Sequence, residues 1–217
     1  MNDRTVPSRT LHLGIFASGR GSNFQAILDA INRRELNARV RLLVTNNPEA
    51  GAIAAARGCG IAVSVLRRGD FGKEEDFIQA MLEALHSNGV GFIALAGYLK
   101  MIPVKVITEY RHRILNIHPA LLPAFGGKGM YGHHVHEAVL AAGCKVSGAT
   151  VHMVDEIYDH GPIVAQSCVP VLEGDTPDSL AARVLETEHA IYPAALQLFA
   201  QGRVTVRDGR AVVAPGF

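Results

Sequence analysis

The sequence is poor in several features that mark specialised protein classes. It has no tryptophan and only three cysteines, Cys59, Cys144 and Cys168, with no CxxC spacing among them. This pattern argues against a disulfide framework and favours a reducing compartment. The 21 basic residues balance 20 acidic ones, for a formal net charge of +1. Without the positive field that binds nucleic acid or membrane surfaces, the sequence favours small-molecule partners over either of these.

Long hydrophobic runs are also absent. No apolar stretch of about 18 residues is free of charge and proline, so we expect no membrane-spanning helix. The N-terminal segment MNDRTVPSRTLHLG carries charges and Pro7 where a signal peptide needs an apolar run. We therefore expect a flexible lead-in over residues 1–10 and a cytoplasmic protein.

The sequence does contain a regular alternation of strands and helices. A strand is predicted from Leu11 to Ala17, followed by apolar residues at helical spacing from Phe24 to Ile31. Further strands are predicted at residues 40–44, 61–66, 90–96, 113–117, 149–154 and 163–171. The strands of the first hundred residues are apolar throughout, as in a parallel sheet covered on both faces. The pattern predicts one α/β domain over residues 1–217, with a doubly wound, mostly parallel, Rossmann-like sheet.

The C-terminal part departs from this alternation. A long helix is predicted to begin after Thr176, an N-cap residue followed by Pro177, and to stop at Gly202. Two short β runs on either side of Asp208-Gly209 predict a terminal β-hairpin. We therefore expect the α/β fold to have a modified C-terminal part.

A glycine-rich turn, Ser18-Gly-Arg-Gly-Ser-Asn23, lies between the first predicted strand and the first helix. The backbone N–H groups of such a turn and the positive end of the helix dipole suit a phosphate. The turn matches neither a dinucleotide fingerprint nor a P-loop, because Phe24 stands where a third glycine belongs and no GK[ST] ending follows. A tight turn capped by Ser22 explains the same residues without a ligand.

A second motif, Asn116-Ile-His118-Pro, ends a predicted strand at the edge where α/β sheets bind ligands. Asn116 and His118 lie two residues apart, so they share one side of an extended chain. An amide donor and an imidazole at one point suit an oxyanion, with the imidazolium as general acid. The acidic loop from Asp155 to Pro162 can bring a carboxylate to His118 and raise its pKa. The pattern leaves open which acid points inward. Taken alone, the first segment is explained by a strand end whose Asn and His complete a turn, and the second by a solvated acidic turn.

Histidines are concentrated in the second half of the chain, at His133, His134, His136, His152 and His160. The sequence has neither an HExxH pattern nor a CxxC pair, so we expect no metal. We expect His152 to pack within a strand.

In their order along the chain these motifs resemble those of the folate-dependent formyltransferases, and within that family the branch that acts on glycinamide ribonucleotide. The match runs from about Leu11 to the end of the long helix. It rests on SGRGSN, LAGYLKMI, ILNIHPALLP, GATVHMV, DHGPIVAQ and EHAIYP. The Asn-x-His-Pro motif followed by LLP is specific to the family, whereas SGxGSN and EHxIYP indicate the branch.

The resemblance implies site residues in three groups. The catalytic residues would be Asn116, His118 and Asp159. The substrate would be held by Gly21, Ser22 and Asn23 at its 5′-phosphate and by Glu188 at its glycinamide end. The folate pocket would be lined by Leu99, Lys100, Met101 and Ile102 beside Asn116, with Lys73 as a candidate for the glutamate tail. Residues 11–100 would then form the phosphate-binding half and residues 101–217 the catalytic and folate-binding half. Residues 126–136 depart from the family pattern, and their glycines and Lys128 lead us to expect a mobile loop over the phosphoribosyl group.

The resemblance also implies the reaction. The formyl group of 10-formyltetrahydrofolate, a co-substrate, would pass directly to the amine of glycinamide ribonucleotide through a tetrahedral intermediate, in purine biosynthesis and without a metal. We expect a monomer or a weak homodimer. A sugar-nucleotide N-formyltransferase is an alternative, against which SGRGSN argues. A non-catalytic phosphate-binding module is another, and it would leave Asn116, His118 and Asp159 without a role.

Overall fold

A seven-stranded sheet forms the centre of the computed structural model, which describes residues 9–215. In chain order its strands are β1 (Leu11–Phe16), β2 (Ala38–Thr45), β3 (Ala62–Val65), β4 (Phe92–Leu95), β5 (Ile114–His118), β6 (Val146–Met153) and β7 (Ile163–Pro170). They lie side by side in the order β3-β2-β1-β4-β5-β6-β7. The strands from β3 to β5 are parallel, whereas β6 runs antiparallel to both of its neighbours. The α/β class and the mostly parallel sheet are confirmed, and most of the predicted lead-in, residues 1–8, lies outside the described residues.

Helices cover both faces of the sheet. They are α1 (Ser22–Asn32), α2 (Ala52–Gly58), α3 (Glu74–Ser87), α4 (Val104–Glu109), α5 (His133–Ala141) and α6 (Pro177–Ala200), with a short 3-10 turn at Arg68–Asp70. One hydrophobic cluster joins α1, α2, α5 and α6 to one face, and a second joins α3 and α4 to the other. Among the helices of residues 9–215, none combines the length and apolarity needed to cross a bilayer.

The parallel and antiparallel parts of the sheet differ in how they are buried. Three of the six residues of β1, Leu13, Ile15 and Phe16, have no exposed surface, because helices cover both sides of the sheet there. In β7 buried and exposed residues alternate along much of the strand, which is typical of an edge strand with one solvated face. In the C-terminal part, therefore, the direction of a strand changes at β6, in addition to the predicted change in how strands and helices alternate along the sequence.

The long helix α6 begins as its sequence predicts. Thr176 accepts a hydrogen bond from the Ser179 backbone N–H, the Ser179 side chain accepts one from the Thr176 N–H, and Pro177 takes the first helical position. The terminal hairpin is also confirmed, as β8 (Val204–Arg207) and β9 (Arg210–Val213). Two helices, α4 and α5, lie where no helix is predicted. The expected loop over residues 126–136 is therefore wrong from residue 133 onward, where α5 begins.

Tyr192 anchors α6 to the part of the sheet that carries the Asn116 and His118 motif. Its ring is fully buried, and its hydroxyl lies 3.0 Å from the backbone oxygens of both Leu95 and Leu115. Leu95 is the last residue of β4, and Leu115 lies in the neighbouring strand β5, directly before Asn116. The contact therefore holds α6 next to the strand ends from which the candidate site is built.

Candidate active site

A cleft of about 1500 Å³ opens at the carboxyl ends of the parallel strands. Strands β2 and β3 lie on one side of β1, and β4 and β5 on the other, so the chain changes direction across the sheet at β1 and β4. Ligands of α/β sheets bind at such switch points. The cleft is lined by the 18–23 turn, the segment after β4, the end of β5, residues 127–133, the loop after β6 and one face of α6.

The glycine-rich turn forms one end of this cleft. Gly21 has φ of 84°, and a Cβ added there would lie 2.8 Å from the Cβ of Ala52, so only glycine fits the turn without strain. Helix α1 follows at once, and no side chain among residues 9–215 caps its N-terminus. Its first backbone N–H groups therefore remain available to an anion in the cleft.

Asn23 connects this turn to the long helix. Its Nδ2 donates to Glu188 Oε2 over 2.5 Å, and both side chains are buried. Burial raises the pKa of Glu188 to about 7, although the hydrogen bond from Asn23 opposes the shift. Asn23 Oδ1 is buried with no hydrogen-bond partner among the described residues. The pair therefore offers a bound hydroxyl both an acceptor and a carboxyl.

Asn116, His118 and Asp159 converge at another part of the cleft. Asn116 and His118 end β5, and Asp159 follows β6 in a left-handed backbone conformation with φ of 54°. His118 Nδ1 lies 3.6 Å from Asp159 Oδ2, which also accepts a hydrogen bond of 2.9 Å from the Gly127 backbone N–H. The Asp155 to Pro162 loop does bring a carboxylate to His118, and it is that of Asp159.

The burial of His118 acts against its positive charge. The side chain is 3% exposed, and this desolvation lowers its pKa more than the charge of Asp159 and a hydrogen bond to the backbone raise it. That hydrogen bond runs from His118 Nε2 to the carbonyl oxygen of Phe125 over 2.9 Å. The expectation that Asp159 raises the pKa of His118 is right in sign, but burial outweighs the effect.

Asp159 stays ionised for a different reason. Burial alone would raise its pKa, but the imidazole of His118 and the hydrogen bond from the Gly127 N–H act against burial, and the pKa of Asp159 is lowered. The site thus holds a carboxylate beside an imidazole that carries little charge at neutral pH. Such a pair can exchange a proton with a reacting group.

A buried polar network holds the segment that follows His118. Thr150 Oγ1 on β6 donates to the Ala120 carbonyl over 2.6 Å and accepts from the Leu122 N–H over 3.0 Å. Gln166 on β7 donates to the same Thr150 oxygen and to the Leu122 carbonyl. The antiparallel strands therefore fix the loop whose carbonyl at Phe125 contacts His118.

The segment after β4 forms a further wall of the cleft. Leu99, Lys100, Met101 and Ile102 all line it, and the Leu99 N–H donates to Ser18 Oγ over 3.1 Å. Ile157 and Tyr158, both more than a third exposed, contribute apolar surface from the loop after β6. Lys73, the residue before α3, is not among the residues that line the cleft, whereas Arg20, Arg67, Lys100 and Lys128 are.

The clustered histidines have separate environments. His133 lies 3.4 Å from Asp178 on α6, and His134 lies 3.5 Å from Glu137 within α5. His136 is buried beside the cleft, and burial lowers its pKa to about 4. Within residues 9–215 no three His, Cys, Asp or Glu side chains are arranged as a metal site.

His152 is the cleft residue that sequence reasoning missed. Instead of only packing in its strand, its side chain lies between Asn116 and Asp159. The signal in the sequence is a single imidazole in the apolar strand GATVHMV, and only the antiparallel pairing of β5 and β6 places it opposite Asn116.

Known proteins share both the sequence and the fold. The family model described as formyl transferase matches residues 12–196. The chain is 45% identical over 201 residues to a chloroplastic phosphoribosylglycinamide formyltransferase of Arabidopsis thaliana, covering 92% of this chain and 69% of the relative. It is 34% identical to the phosphoribosylglycinamide formyltransferase of Escherichia coli, covering 93% and 92% of the two chains. The crystal structure of glycinamide ribonucleotide transformylase 1 from Symbiobacterium toebii superposes with a TM-score of 0.89 at 37% identity, over 95% of each chain.

Proposed function

Because the chain belongs to the formyl transferase family, with residues 12–196 matching the family model, we propose the reaction that its relatives' names describe. The enzyme transfers the formyl group of 10-formyltetrahydrofolate to the amine of glycinamide ribonucleotide, a step of purine biosynthesis. The products are formylglycinamide ribonucleotide and tetrahydrofolate. The observation that carries the proposal is a single cleft that joins an open helix N-terminus to the Asn116, His118 and Asp159 cluster.

The phosphate end of the substrate suits the glycine-rich turn. Gly21, Ser22 and Asn23 present backbone N–H groups at the start of α1, where the helix dipole favours an anion. Glu188 contacts Asn23, so we assign it to the sugar next to the phosphate and not only to the glycinamide end. A ribose hydroxyl can donate to the unpaired Asn23 Oδ1, which otherwise stays buried without a partner among the described residues.

The chemical step needs a donor for an oxyanion and a carrier for a proton. The substrate amine attacks the formyl carbon, a new C–N bond forms, and the carbonyl electron pair moves to the oxygen. We assign an N–H of Asn116 to that oxygen. When the intermediate collapses, the bond from carbon to folate N10 breaks, and the proton lost by the amine is delivered to N10.

His118 and Asp159 are assigned to that proton. Asp159 lies 3.6 Å from His118 Nδ1 and favours the imidazolium, against the effect of burial. His118 Nε2 is bound to the Phe125 carbonyl. We propose that substrate replaces this loop contact, so that Nε2 faces the reacting atoms during transfer.

The folate ring system is assigned to the wall formed by Leu99, Lys100, Met101 and Ile102, beside Asn116. Leu99 and Met101 line the cleft and are about half exposed, so their apolar surfaces are available to a ring. For the glutamate tail we propose Arg67 and Lys100 in place of Lys73, because they line the cleft. Arg67 is held by two contacts of 2.8 Å with Asp70, which orient its guanidinium.

The compartment and the assembly stay predictions from the sequence. We propose a cytoplasmic enzyme that is a monomer or weak homodimer, although one relative is named as chloroplastic. The residues assigned to the proposed site all belong to one chain. The chemistry assigned to these residues does not require a metal.

The proposal is tested by mixing the purified protein with glycinamide ribonucleotide and 10-formyltetrahydrofolate and following the deformylated folate by absorbance. We expect turnover that depends on both substrates, and a loss of about 10²- to 10⁴-fold in kcat for His118→Ala, the range for a lost general acid or base. The control is His112→Ala, since His112 lies outside the cleft. No turnover by the wild-type protein, or full turnover by His118→Ala, would overturn the assignment.

A further inference from the structure

The side chain of His152 has a defined set of contacts in the candidate site. It lies on β6 directly opposite Asn116 on β5, is 2% exposed, and reaches Asn116 Nδ2 with its Nε2 over 3.0 Å. Its other nitrogen, Nδ1, lies 2.8 Å from the carbonyl oxygen of Met153. Asp159 Oδ1 lies 3.6 Å from His152 Nε2, beyond the range of a strong hydrogen bond.

These contacts fix the proton positions on the imidazole. A carbonyl oxygen can only accept, so Nδ1 must carry a proton and donate it to Met153. An amide nitrogen can only donate, so Nε2 must offer its lone pair to Asn116. These two contacts are satisfied together by the tautomer that has its proton on Nδ1 and its lone pair on Nε2.

A lone pair on Nε2 also selects one of the two orientations of the Asn116 amide. If the amide turned by 180°, its oxygen would face the Nε2 lone pair, and the two acceptors would repel each other. The orientation observed uses one N–H of Asn116 for His152 and leaves the second N–H for another acceptor.

We propose that His152 is a positioning residue that holds the Asn116 amide with its free N–H directed at the oxygen of the formyl group during transfer. The inference rests on the proposed function, because the oxygen belongs to that reaction. Because its side chain is almost fully buried, we assign His152 no direct contact with either substrate. The effect of His152 on the reaction passes through Asn116. If His152 had only a structural role, its replacement would affect folding and not the chemical step.

Three substitutions separate these roles. His152→Phe removes the acceptor and keeps a ring in the strand, His152→Gln can place an amide oxygen near the Nε2 position, and His152→Asn is a shorter control that cannot reach Asn116. We expect kcat to fall between about 10-fold and 100-fold in His152→Phe and His152→Asn, less than the 10²- to 10³-fold typical for deleting an oxyanion donor. We expect His152→Gln to regain most of the loss, with the KM values for both substrates nearly unchanged in all three.

A double-mutant cycle tests whether the effect passes through Asn116. In an Asn116→Ala background, His152→Phe should reduce kcat by no more than about twofold, since the group that it positions is absent. If the double variant lost kcat by the product of the two single-variant factors, the proposal would be overturned. Wild-type-like kcat in His152→Phe, or a His152→Gln variant no better than His152→Asn, would overturn it as well.

A spectroscopic readout keeps the proposal testable if these variants fold poorly. Nitrogen-15 NMR of the wild-type imidazole should show His152 with a proton on Nδ1 and a bare Nε2 at neutral pH. A proton on Nε2, or a charged ring, would contradict the proposed orientation of Asn116. This measurement needs no turnover, so its failure is distinguishable from a failure of the proposed function, which the wild-type transfer assay reports.

Discussion

At the scale of single residues, the carboxyl of Glu188 couples the stability of the fold to pH. Its folded-state pKa of about 7 lies above the ordinary value of 4.5, because the group is buried. The folded chain therefore binds a proton between these two values that the unfolded chain has released. It follows that the free energy of unfolding decreases as pH rises from about 4.5 to 7.

Replacing Glu188 with Gln should remove this dependence. The pKa difference corresponds to about 3 kcal/mol, so the stability of Glu188→Gln relative to wild type should rise by roughly that amount between pH 4.5 and pH 8. Urea unfolding at both pH values measures it. Glu186→Gln, on the exposed side of the same helix, is the control and should follow the wild type. Parallel pH dependence in the wild type and Glu188→Gln would contradict the account.

The His118 and Asp159 pair makes a second prediction at this scale. The charge of Asp159 favours protonated His118 against burial, so in Asp159→Asn the pKa of His118 should fall further. The part of the pH profile of kcat/KM that requires protonated His118 should then move to lower pH. An unchanged profile, or a shift to higher pH, would show that Asp159 does not act on His118 through its charge.

The sequence motifs identify residues that meet in space, but they do not give every partner. Asn116 and His118 are found together because they are two residues apart on one strand, and the loop that contains Asp159 follows a neighbouring strand. His152 is missed because its role depends on which residue of β5 it faces. That register is a property of the pairing between strands and is not visible in either strand alone.

At the scale of elements, the turn before α1 depends on glycine at one position more than at another. Gly21 has a positive φ, and an added Cβ would lie 2.8 Å from Ala52 Cβ, whereas an added Cβ at Gly19 meets no atom within 4 Å. The two glycines therefore provide a matched pair within one turn.

We expect Gly21→Ala to cost about 1–3 kcal/mol of unfolding free energy and to weaken binding of glycinamide ribonucleotide, because the strained turn displaces the first N–H groups of α1. Gly19→Ala should change stability by no more than about 0.5 kcal/mol. Thermal unfolding and titration calorimetry measure both effects. Equal effects of the two substitutions would contradict the assigned role of Gly21.

Strands were predictable where their side chains are buried on both faces, because such strands are apolar throughout. All seven predicted strands of the main sheet are present, with ends displaced by a few residues. The direction of β6 and β7 was not predictable, since direction depends on the connection and the pairing partner. Helix α5 was missed because three of its first four residues are histidines and a glycine precedes it, which leaves only a short run of apolar residues at helical spacing, Val135 and Val139.

At the scale of the whole molecule, one cleft links two recognition tasks. Helix α1 begins at the phosphate end, β5 ends at the catalytic cluster, and α6 contacts both regions through Glu188 and Tyr192. In the proposed function, this nearly neutral chain would bind anionic ligands through local groups and not through a charged surface. If binding of the phosphate at one end orients the amine at the other, the phosphate should affect the rate of transfer as well as affinity.

The most direct test compares kcat/KM for formyl transfer to glycinamide ribonucleotide and to the same molecule without its 5′-phosphate. The account predicts transfer to the phosphorylated substrate, with a preference of at least about 100-fold over the dephosphorylated one, corresponding to roughly 3 kcal/mol. Transfer to neither molecule, or equal values of kcat/KM for both, would contradict the account.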